Sequence, residues 1–224
     1  TMTRTFENLR LAIPAATLDR IAADAAARSL GVIRHRIDQS GVAEPQISRV
    51  GGDRILVQLP GVENPEALRA LLGSTARMTF HMVAEPGSAP APGHRMMTTR
   101  DGASVAVAER VALSGDHLVS AASGFDPQTG RPVVTFRFDT AGALAFGHIT
   151  ARNVGRRFAV VLDGEVLTAP VIQTAIPGGQ GQITGQFTVE EAQTLTVLLT
   201  SGALPASLEV IEERSVGAAL GADS

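Results

Sequence analysis

The chain has 224 residues, a formal net charge of -3, and a hydrophobic content of 44%. This length fits one large domain or two small ones, and the apolar content suffices for a buried core. All 19 residues counted as lysine or arginine are arginine, and cysteine is absent. The composition therefore excludes Schiff-base and P-loop lysines, thiol catalysis, cysteine-bound zinc and disulfides. The acidic balance also argues against nucleic acid as a partner.

The first 85 residues predict a small α+β unit. A long helix is expected from Thr17 to a left-handed cap at Gly41, and a short helix from Asn64 and Pro65. Alternation of apolar and polar side chains predicts strands at residues 9–13, 46–50, 55–59 and 78–82. The order strand, helix, strand, strand, helix, strand is that of a ferredoxin-like fold. One face of its sheet is basic, either as a solvated face or as a docking surface, and carries Arg10, Arg54, Arg77 and His81.

A break in composition follows this unit. Prolines and glycines cluster in residues 86–93, which indicates a linker. Further predicted elements are a hairpin over 95–109, strands at 133–138, 158–162, 166–174 and 183–187, and helices over 140–155 and 188–201. After Pro205, apolar residues within 208–211 predict a last strand, which we expect to return to the first sheet.

These elements predict an α+β fold with two lobes. The base, residues 1–85 and 205–224, is ferredoxin-like, and the C-terminal strand completes its sheet. The head, residues 86–204, is an inserted α+β lobe. No apolar run reaches the roughly 18 residues of a membrane span and no signal-peptide pattern opens the chain, so we expect a soluble piece.

The sequence contains no pattern typical of a catalytic or metal site. The five histidines lack metal-ligand spacing, and no nucleophile elbow is present. Asp163 and Glu165 flank a glycine and indicate a hairpin turn rather than an acid–base pair. Backbone amides of residues 178–181 could hold an anion, but a strand rather than a helix is predicted after them. We therefore predict no catalytic residue, no metal and no cofactor, and a protein that is not an enzyme.

Two blocks of motifs run through most of the chain. The first consists of Arg36-Ile37-Asp38, Gly41-Val42-Ala43-Glu44-Pro45, Gly51-Gly52-Asp53-Arg54-Ile55 and Leu59-Pro60-Gly61. The second consists of Asn153-x-Gly155, Ala169-Pro170, Gly185-x-Phe187, Glu191-Ala192, Gly202-Ala203-Leu204-Pro205 and Arg214-x-Val216-Gly217. In these motifs the chain resembles the large first periplasmic domain of the SecD family of protein-export subunits. Departures from the family pattern are Gln58, where Glu is commoner, and Ala218, where Pro is expected.

The resemblance implies a base with an inserted head, in a protein anchored in the inner membrane by flanking helices. It implies contact with unfolded preprotein that leaves the SecYEG channel, with SecF and SecYEG as partners, on the periplasmic side. It also implies that the head moves relative to the base as proton flow drives translocation. Hinge candidates lie where the chain would pass between the lobes: Pro86, Gly87, Gly202 and Pro205.

Two other functions stay open at this point. One is a periplasmic domain of a related efflux or lipid transporter, because such transporters also use ferredoxin-like modules. The other is a hydrolase with a cryptic site in the inserted lobe. An alternative to the hinges is that these prolines and glycines only form loops and that no motion occurs there.

Overall fold

The computed structural model describes residues 14–42, 44–62, 64–85 and 92–214. The helices are α1 (Ala15–Ser40), α2 (Pro65–Gly73), α3 (Thr140–Arg152) and α4 (Val189–Ser201), with a 3-10 turn at Gly115–His117. The strands are β1 (Gln46–Val50), β2 (Arg54–Gln58), β3 (Met78–Met82), β4 (His94–Thr98), β5 (Ser104–Ala108), β6 (Leu113–Ser114), β7 (Leu118–Phe125), β8 (Pro132–Phe138), β9 (Phe158–Leu162), β10 (Glu165–Thr168) and β11 (Gln180–Thr184). The prediction of an α+β fold is confirmed.

Local signals place the helix ends. Helix α1 begins two residues before the predicted cap, because the Pro14 carbonyl accepts hydrogen bonds from the first turn of the helix. Gly41 ends it with φ of 78°, as predicted. In α4, the Thr188 side chain accepts from the Glu191 amide, while the Glu191 carboxylate accepts from the Thr188 amide. This capping box satisfies two amides that would otherwise lack partners.

The described strands form four small sheets. The orders are β1-β2, β10-β9-β3-β6, β11-β8-β7 and β4-β5, and all these pairs are antiparallel. β3 belongs to the predicted base, yet it pairs with β9 and β6 of the predicted head. The two predicted lobes therefore share a sheet.

The largest core lies between the sheet containing β3 and the sheet containing β8. Its centre is a group of phenylalanines, in which the Phe80 ring lies 5.5–5.8 Å from the rings of Phe136, Phe138 and Phe158. Leu195 of α4 is buried in the same core. Since Phe80 comes from β3, aromatic packing also holds β3 to the later strands.

A second core belongs to the N-terminal elements. Ile33 and Ile37 of α1 are almost completely buried, and side chains from β1 and β2 pack against them. Leu204 and Leu208 from the C-terminal tail join this core. The tail therefore packs against the N-terminal elements, but among the described residues it does not join their sheet as a strand.

The predicted fold differs from the structure in several details. The strand predicted at 166–174 ends at Thr168 as β10, the strand predicted at 183–187 lies at Gln180–Thr184 as β11, and β7 was not predicted. The ferredoxin-like arrangement is not confirmed, because β1 and β2 pair only with each other among the described strands, and residues 9–13 lie outside the description. The predicted strand at residues 208–211 is wrong, since the described tail up to residue 214 contains no strand. Leu208 is partly buried without a strand partner, whereas Val210 and Ile211 are exposed.

Candidate functional site

The chain passes twice between two packed parts, and the crossings lie side by side. We call α1, β1, β2 and α2 the N-terminal unit, and the elements from β3 to α4 the sheet unit. Residues 74–77 lead from α2 into β3, and residues 202–204 lead from α4 into the tail. These two segments are the junction. They contact each other directly, because the Leu204 amide donates to the Thr75 carbonyl at 2.8 Å.

A buried arginine of α1 binds both crossings. The Arg36 guanidinium donates to the carbonyls of Leu71 at 2.7 Å and Ser74 at 2.6 Å. It also donates to the Ser201 hydroxyl at 3.1 Å and the Gly202 carbonyl at 3.4 Å. These acceptors lie at the C-terminal ends of α2 and α4, where carbonyls lack helical partners and carry partial negative charge. Arg36 therefore joins α1, α2 and α4 at one point.

The charge on this arginine is costly to bury. Arg36 has no exposed surface, and burial lowers its pKa to about 10, while the charge of Asp163 opposes that shift. Such a group is stable in a core only because carbonyls and a hydroxyl surround it. Removing the donors would leave the facing carbonyls unpaired in the interior.

An aspartate from the sheet unit binds the other side of the junction. Asp163 lies in the β9–β10 turn, and its carboxylate accepts from the amides of Ala76 at 3.0 Å and Arg77 at 2.8 Å. It also accepts from the Ser74 hydroxyl at 2.8 Å and from the Thr75 hydroxyl. Burial alone would raise the pKa of Asp163, but these four hydrogen bonds together lower it. The turn was predicted, and its bonds to residues 74–77 were not.

A polar cleft of about 260 Å³ opens beside the junction. It lies between the start of β3, the 3-10 turn and the end of α4, and its lining includes Arg77, Asp116 and Gly202. Residues of both crossings line this cleft, so a change in the angle between the units would alter its width.

The hinge candidates have different surroundings. Gly202 lies in the junction with φ of 79° and ψ of 171°, a backbone conformation that is almost limited to glycine. Pro205 is exposed and directly follows the buried Leu204. Pro86 and Gly87 lie outside the described residues. The segment just before them contacts β5, since the Ala84 amide donates to the Ala106 carbonyl at 2.9 Å.

The predicted basic face is wrong at one position. Arg10 lies outside the described residues. Arg54, in the β1–β2 sheet, and Arg77, just before β3 in another sheet, are exposed, but His81 of β3 is completely buried and faces β5. Its Nδ1 lies 2.8 Å from the Ala108 carbonyl, and its Nε2 lies 3.0 Å from the Thr79 hydroxyl oxygen. A carbonyl only accepts, so Nδ1 carries the hydrogen and the neutral ring accepts at Nε2. Burial lowers the pKa of His81.

No metal-like cluster occurs in the part of the chain that the structure describes. Across residues 14–42, 44–62, 64–85 and 92–214, no three His, Asp or Glu side chains converge as ligands would. In those same ranges, every helix is too short or too polar to cross a membrane.

Two family profiles match successive parts of the chain. The family described as "SecDF, P1 head subdomain" matches residues 94–206, which is half of the chain. The family described as "Protein translocase subunit SecDF, P1 domain, N-terminal" matches residues 26–85. The two matches follow the order that the motifs predicted.

Curated relatives agree with these profiles. The protein translocase subunit SecD of Acetobacter pasteurianus is 45% identical over 222 residues, which cover 96% of this chain and 43% of that protein. SecD of Rickettsia conorii is 45% identical over 208 residues, which cover 88% of this chain and 40% of that protein. The chain thus spans about two fifths of the length of these relatives. Both relatives bear the name of a translocase subunit rather than of an enzyme, in agreement with the predicted absence of catalysis.

Solved structures share the fold. One, described as "Structure and function of a membrane component SecDF that enhances protein export", has a TM-score of 0.72 and 34% identity over 87% of this chain and 94% of that chain. Another, a crystal structure of SecDF in a super-membrane-facing form, has a TM-score of 0.72 and 33% identity over 84% of this chain and 28% of that chain.

Proposed function

Because this chain belongs to the SecDF family and forms its P1 domain, we propose that it contacts unfolded preprotein as that preprotein leaves the SecYEG channel. The domain acts on the periplasmic side of the inner membrane, with SecF and SecYEG as partners. It changes its shape to promote proton-driven translocation, and it performs no catalysis. The junction is the observation that carries this proposal.

The junction supports motion because few groups hold it. The N-terminal unit and the sheet unit have separate cores, and the smaller contact between them includes Leu71 of α2 and Leu198 of α4. Beside that contact, Arg36 and Asp163 supply most of the polar bonds. Such a cluster of bonds can be made or broken together, which gives two discrete arrangements rather than continuous flexing.

The free energy that one proton releases is similar in size to that of one hydrogen bond to a charged group. A proton that crosses roughly 100 mV releases about 2.3 kcal/mol. A hydrogen bond to a charged group contributes about 1.5–3 kcal/mol. One or a few protons therefore suffice to shift an equilibrium that depends on two or three junction bonds. The shift does work on a bound preprotein only if the two arrangements bind it unequally.

The sheet shared by β3 determines which residues move together. β3 pairs with β9 along its whole length, from Met78 with Leu162 to Met82 with Phe158. We propose that β3 moves with the head and that the hinge is formed by residues 74–77 and 202–204. Gly202 contributes a backbone that other residues rarely adopt, and Pro205 limits the segment after it.

A crosslink across the junction tests this function. The Thr200 hydroxyl of α4 donates to the Gln39 side-chain oxygen of α1 at 3.2 Å, so Gln39→Cys with Thr200→Cys places two thiols across the units. The chain has no native cysteine that would interfere. A short reducible crosslinker is applied to a membrane-embedded subunit that carries this domain, and proton-driven preprotein translocation is measured in vesicles. We expect the crosslink to abolish the stimulation and reduction to restore it.

The matched control keeps one of the two sites. His35 and Gln39 both lie on α1 with their side chains 3.0 Å apart, so His35→Cys with Gln39→Cys gives a crosslink within one unit. This crosslink is expected to leave translocation unchanged. Normal stimulation by the subunit crosslinked between positions 39 and 200 would refute motion at the junction.

A further inference from the structure

The edge strand β11 differs from the other strands at the margins of these sheets. It pairs with β8 in unbroken register over five residues, from Gln180 with Arg137 to Thr184 with Val133. The register of β7 shifts on the opposite edge of that sheet, and the register of β10 shifts in its own sheet. β6 has only two residues, and arginines lie in the β1–β2 hairpin and in β4. The second edge of β5 is contacted by the segment after β3, through the Val83–Val107 bridge and the bond from the Ala84 amide to the Ala106 carbonyl. β11 is therefore a regular edge without a bulge or a charge.

The hydrogen-bond pattern shows which backbone groups of β11 point away from the sheet. The Phe138 amide donates to the Gly179 carbonyl at 2.9 Å. In an antiparallel pair every second residue bonds to the neighbouring strand, so Gly179, Gly181 and Ile183 bond to β8. On the other side of β8, the Asp126 amide donates to the Arg131 carbonyl at 2.9 Å. The odd-numbered residues of β8 therefore bond toward β7, and the even-numbered residues bond toward β11.

From this alternation, the amide and carbonyl groups of Gln180, Gln182 and Thr184 point away from β8. All three residues are exposed. Within residues 14–42, 44–62, 64–85 and 92–214, no hydrogen bond reaches these backbone groups. The β11 edge thus offers three amides and three carbonyls in the spacing of a strand.

Packing holds β11 in place from its inner side. A Cβ on Gly181 would lie 2.3 Å from the Phe136 ring, and a Cβ on Gly179 would lie 2.4 Å from Ala143 of α3. The Ile176 amide just upstream donates to the Thr150 hydroxyl at 2.9 Å. The two glycines permit this close packing, which fixes the strand before any partner binds. A strand that is already ordered loses little conformational entropy on binding.

The sequence around β11 lacks the usual protection of an edge. Residues 178–189 contain no charged residue and no proline. Native proteins normally blunt exposed edges with lysine, proline or a bulge, because an open edge pairs with other chains. An open, ordered and uncharged edge fits a partner that is itself extended and that supplies unpaired backbone groups.

We infer that the β11 edge binds an unfolded polypeptide as an added strand, through the backbone groups of Gln180, Gln182 and Thr184. This inference rests on the proposed function and locates its contact. Recognition through backbone groups requires no particular side chains, so many sequences bind, and each binds weakly. A second copy of this chain is the alternative partner for this edge, and the experiment below distinguishes it from an unfolded polypeptide.

Amide hydrogen exchange measured by NMR tests the edge residue by residue. The probe is reduced and carboxymethylated lactalbumin, which cannot fold. In the free chain, the amides of Gln180, Gln182 and Thr184 should exchange fast while those of Gly181 and Ile183 are protected by β8. Addition of the probe should slow exchange at the first three by at least about tenfold, with little change at the other two.

A pair of variants at one position separates backbone recognition from side-chain recognition. Gln182→Pro removes an outward amide, which an edge strand tolerates, and should weaken probe binding by about tenfold. Gln182→Ala keeps the amide and should change the affinity by less than about twofold. Thermal unfolding of each variant verifies the fold, and the exchange measurement on the unmodified chain does not depend on either variant.

Four results would overturn the inference. Protection of the amides of Gln180, Gln182 and Thr184 in the free chain would mean that the edge is already covered. Protection that follows protein concentration without the probe would assign the edge to self-association. Binding of the probe without protection at β11 would place the contact elsewhere and leave the proposed function intact, whereas no binding of the probe at all would count against both.

Discussion

Replacing Arg36 by methionine should cost more stability than any comparable change on the surface of α1. Methionine fills much of the space of the arginine stem but donates no hydrogen bond. Three acceptors lie within 3.1 Å of the guanidinium, on Leu71, Ser74 and Ser201. After the cost of burying the charge, each bond contributes about 1 kcal/mol, and the bonds lost leave carbonyls unpaired. The expected loss in the free energy of unfolding is about 3–4 kcal/mol.

Urea and thermal unfolding followed by circular dichroism measure this loss. For a chain of this length, 1 kcal/mol lowers the melting temperature by about 2–4 °C, so Arg36→Met should lower it by roughly 6–15 °C. Arg34→Met on the exposed face of the same helix is the matched control and should change stability by less than about 0.5 kcal/mol. Hydrogen exchange should accelerate first where α1 meets the ends of α2 and α4. If Arg36→Met melts within 1 °C of the unmodified chain, roughly the error of the measurement, then the guanidinium does not hold the junction.

Two further predictions concern pH. Asp163→Asn should cost about 1–2 kcal/mol at neutral pH, a value reduced for the exposure of this carboxylate. Because folding lowers the pKa of Asp163, its contribution to stability is present above about pH 4 and is lost as the pH falls through the lowered pKa. A free energy of unfolding that falls with pH equally in Asp163→Asn and in the unmodified chain would contradict this. Folding also lowers the pKa of His81, so the unfolded chain binds the extra proton and stability should fall as the pH drops below about 6.5. Between about pH 7.5 and 5, the free energy of unfolding should depend less on pH in His81→Asn than in the unmodified chain.

Features set by neighbouring residues were predictable from the sequence. The Thr188 and Glu191 capping box, the Asn64 cap and the Gly41 helix end all depend on groups within a few positions of each other. The β4–β5 hairpin and the turn at Asp163 have the same local origin. These signals act within one turn of chain, so periodicity and turn chemistry suffice to find them.

Features set by distant partners were not predictable in the same way. β3 alternates like a strand of any antiparallel sheet, and nothing in its pattern selects β9 rather than β1 as its neighbour. β7 contains small residues such as Ala121, Ser123 and Gly124, and its pairing with β8 supplies the order that its own sequence lacks.

The junction had one overlooked signal. Arg36 lies next to Ile37 and three residues after Ile33, and it is the one charged residue on the buried face of α1 among the described residues. A charged residue at a buried position needs several partners, so its position indicates a polar contact. The identity of those partners, up to 166 residues away, follows only from the folded chain.

The return of the tail also dictates an order of events during synthesis. Leu204 and Leu208 complete the core around Ile33 and Ile37, so α1 is synthesised long before the tail residues that help to cover it. While the later strands assemble around their phenylalanines, β1 and β2 cover part of α1, and the surface that the tail covers stays exposed. The core around α1 is therefore completed only when the tail has been made, and a nascent chain arrested before residue 204 exposes the side chains of α1 that Leu204 and Leu208 would cover.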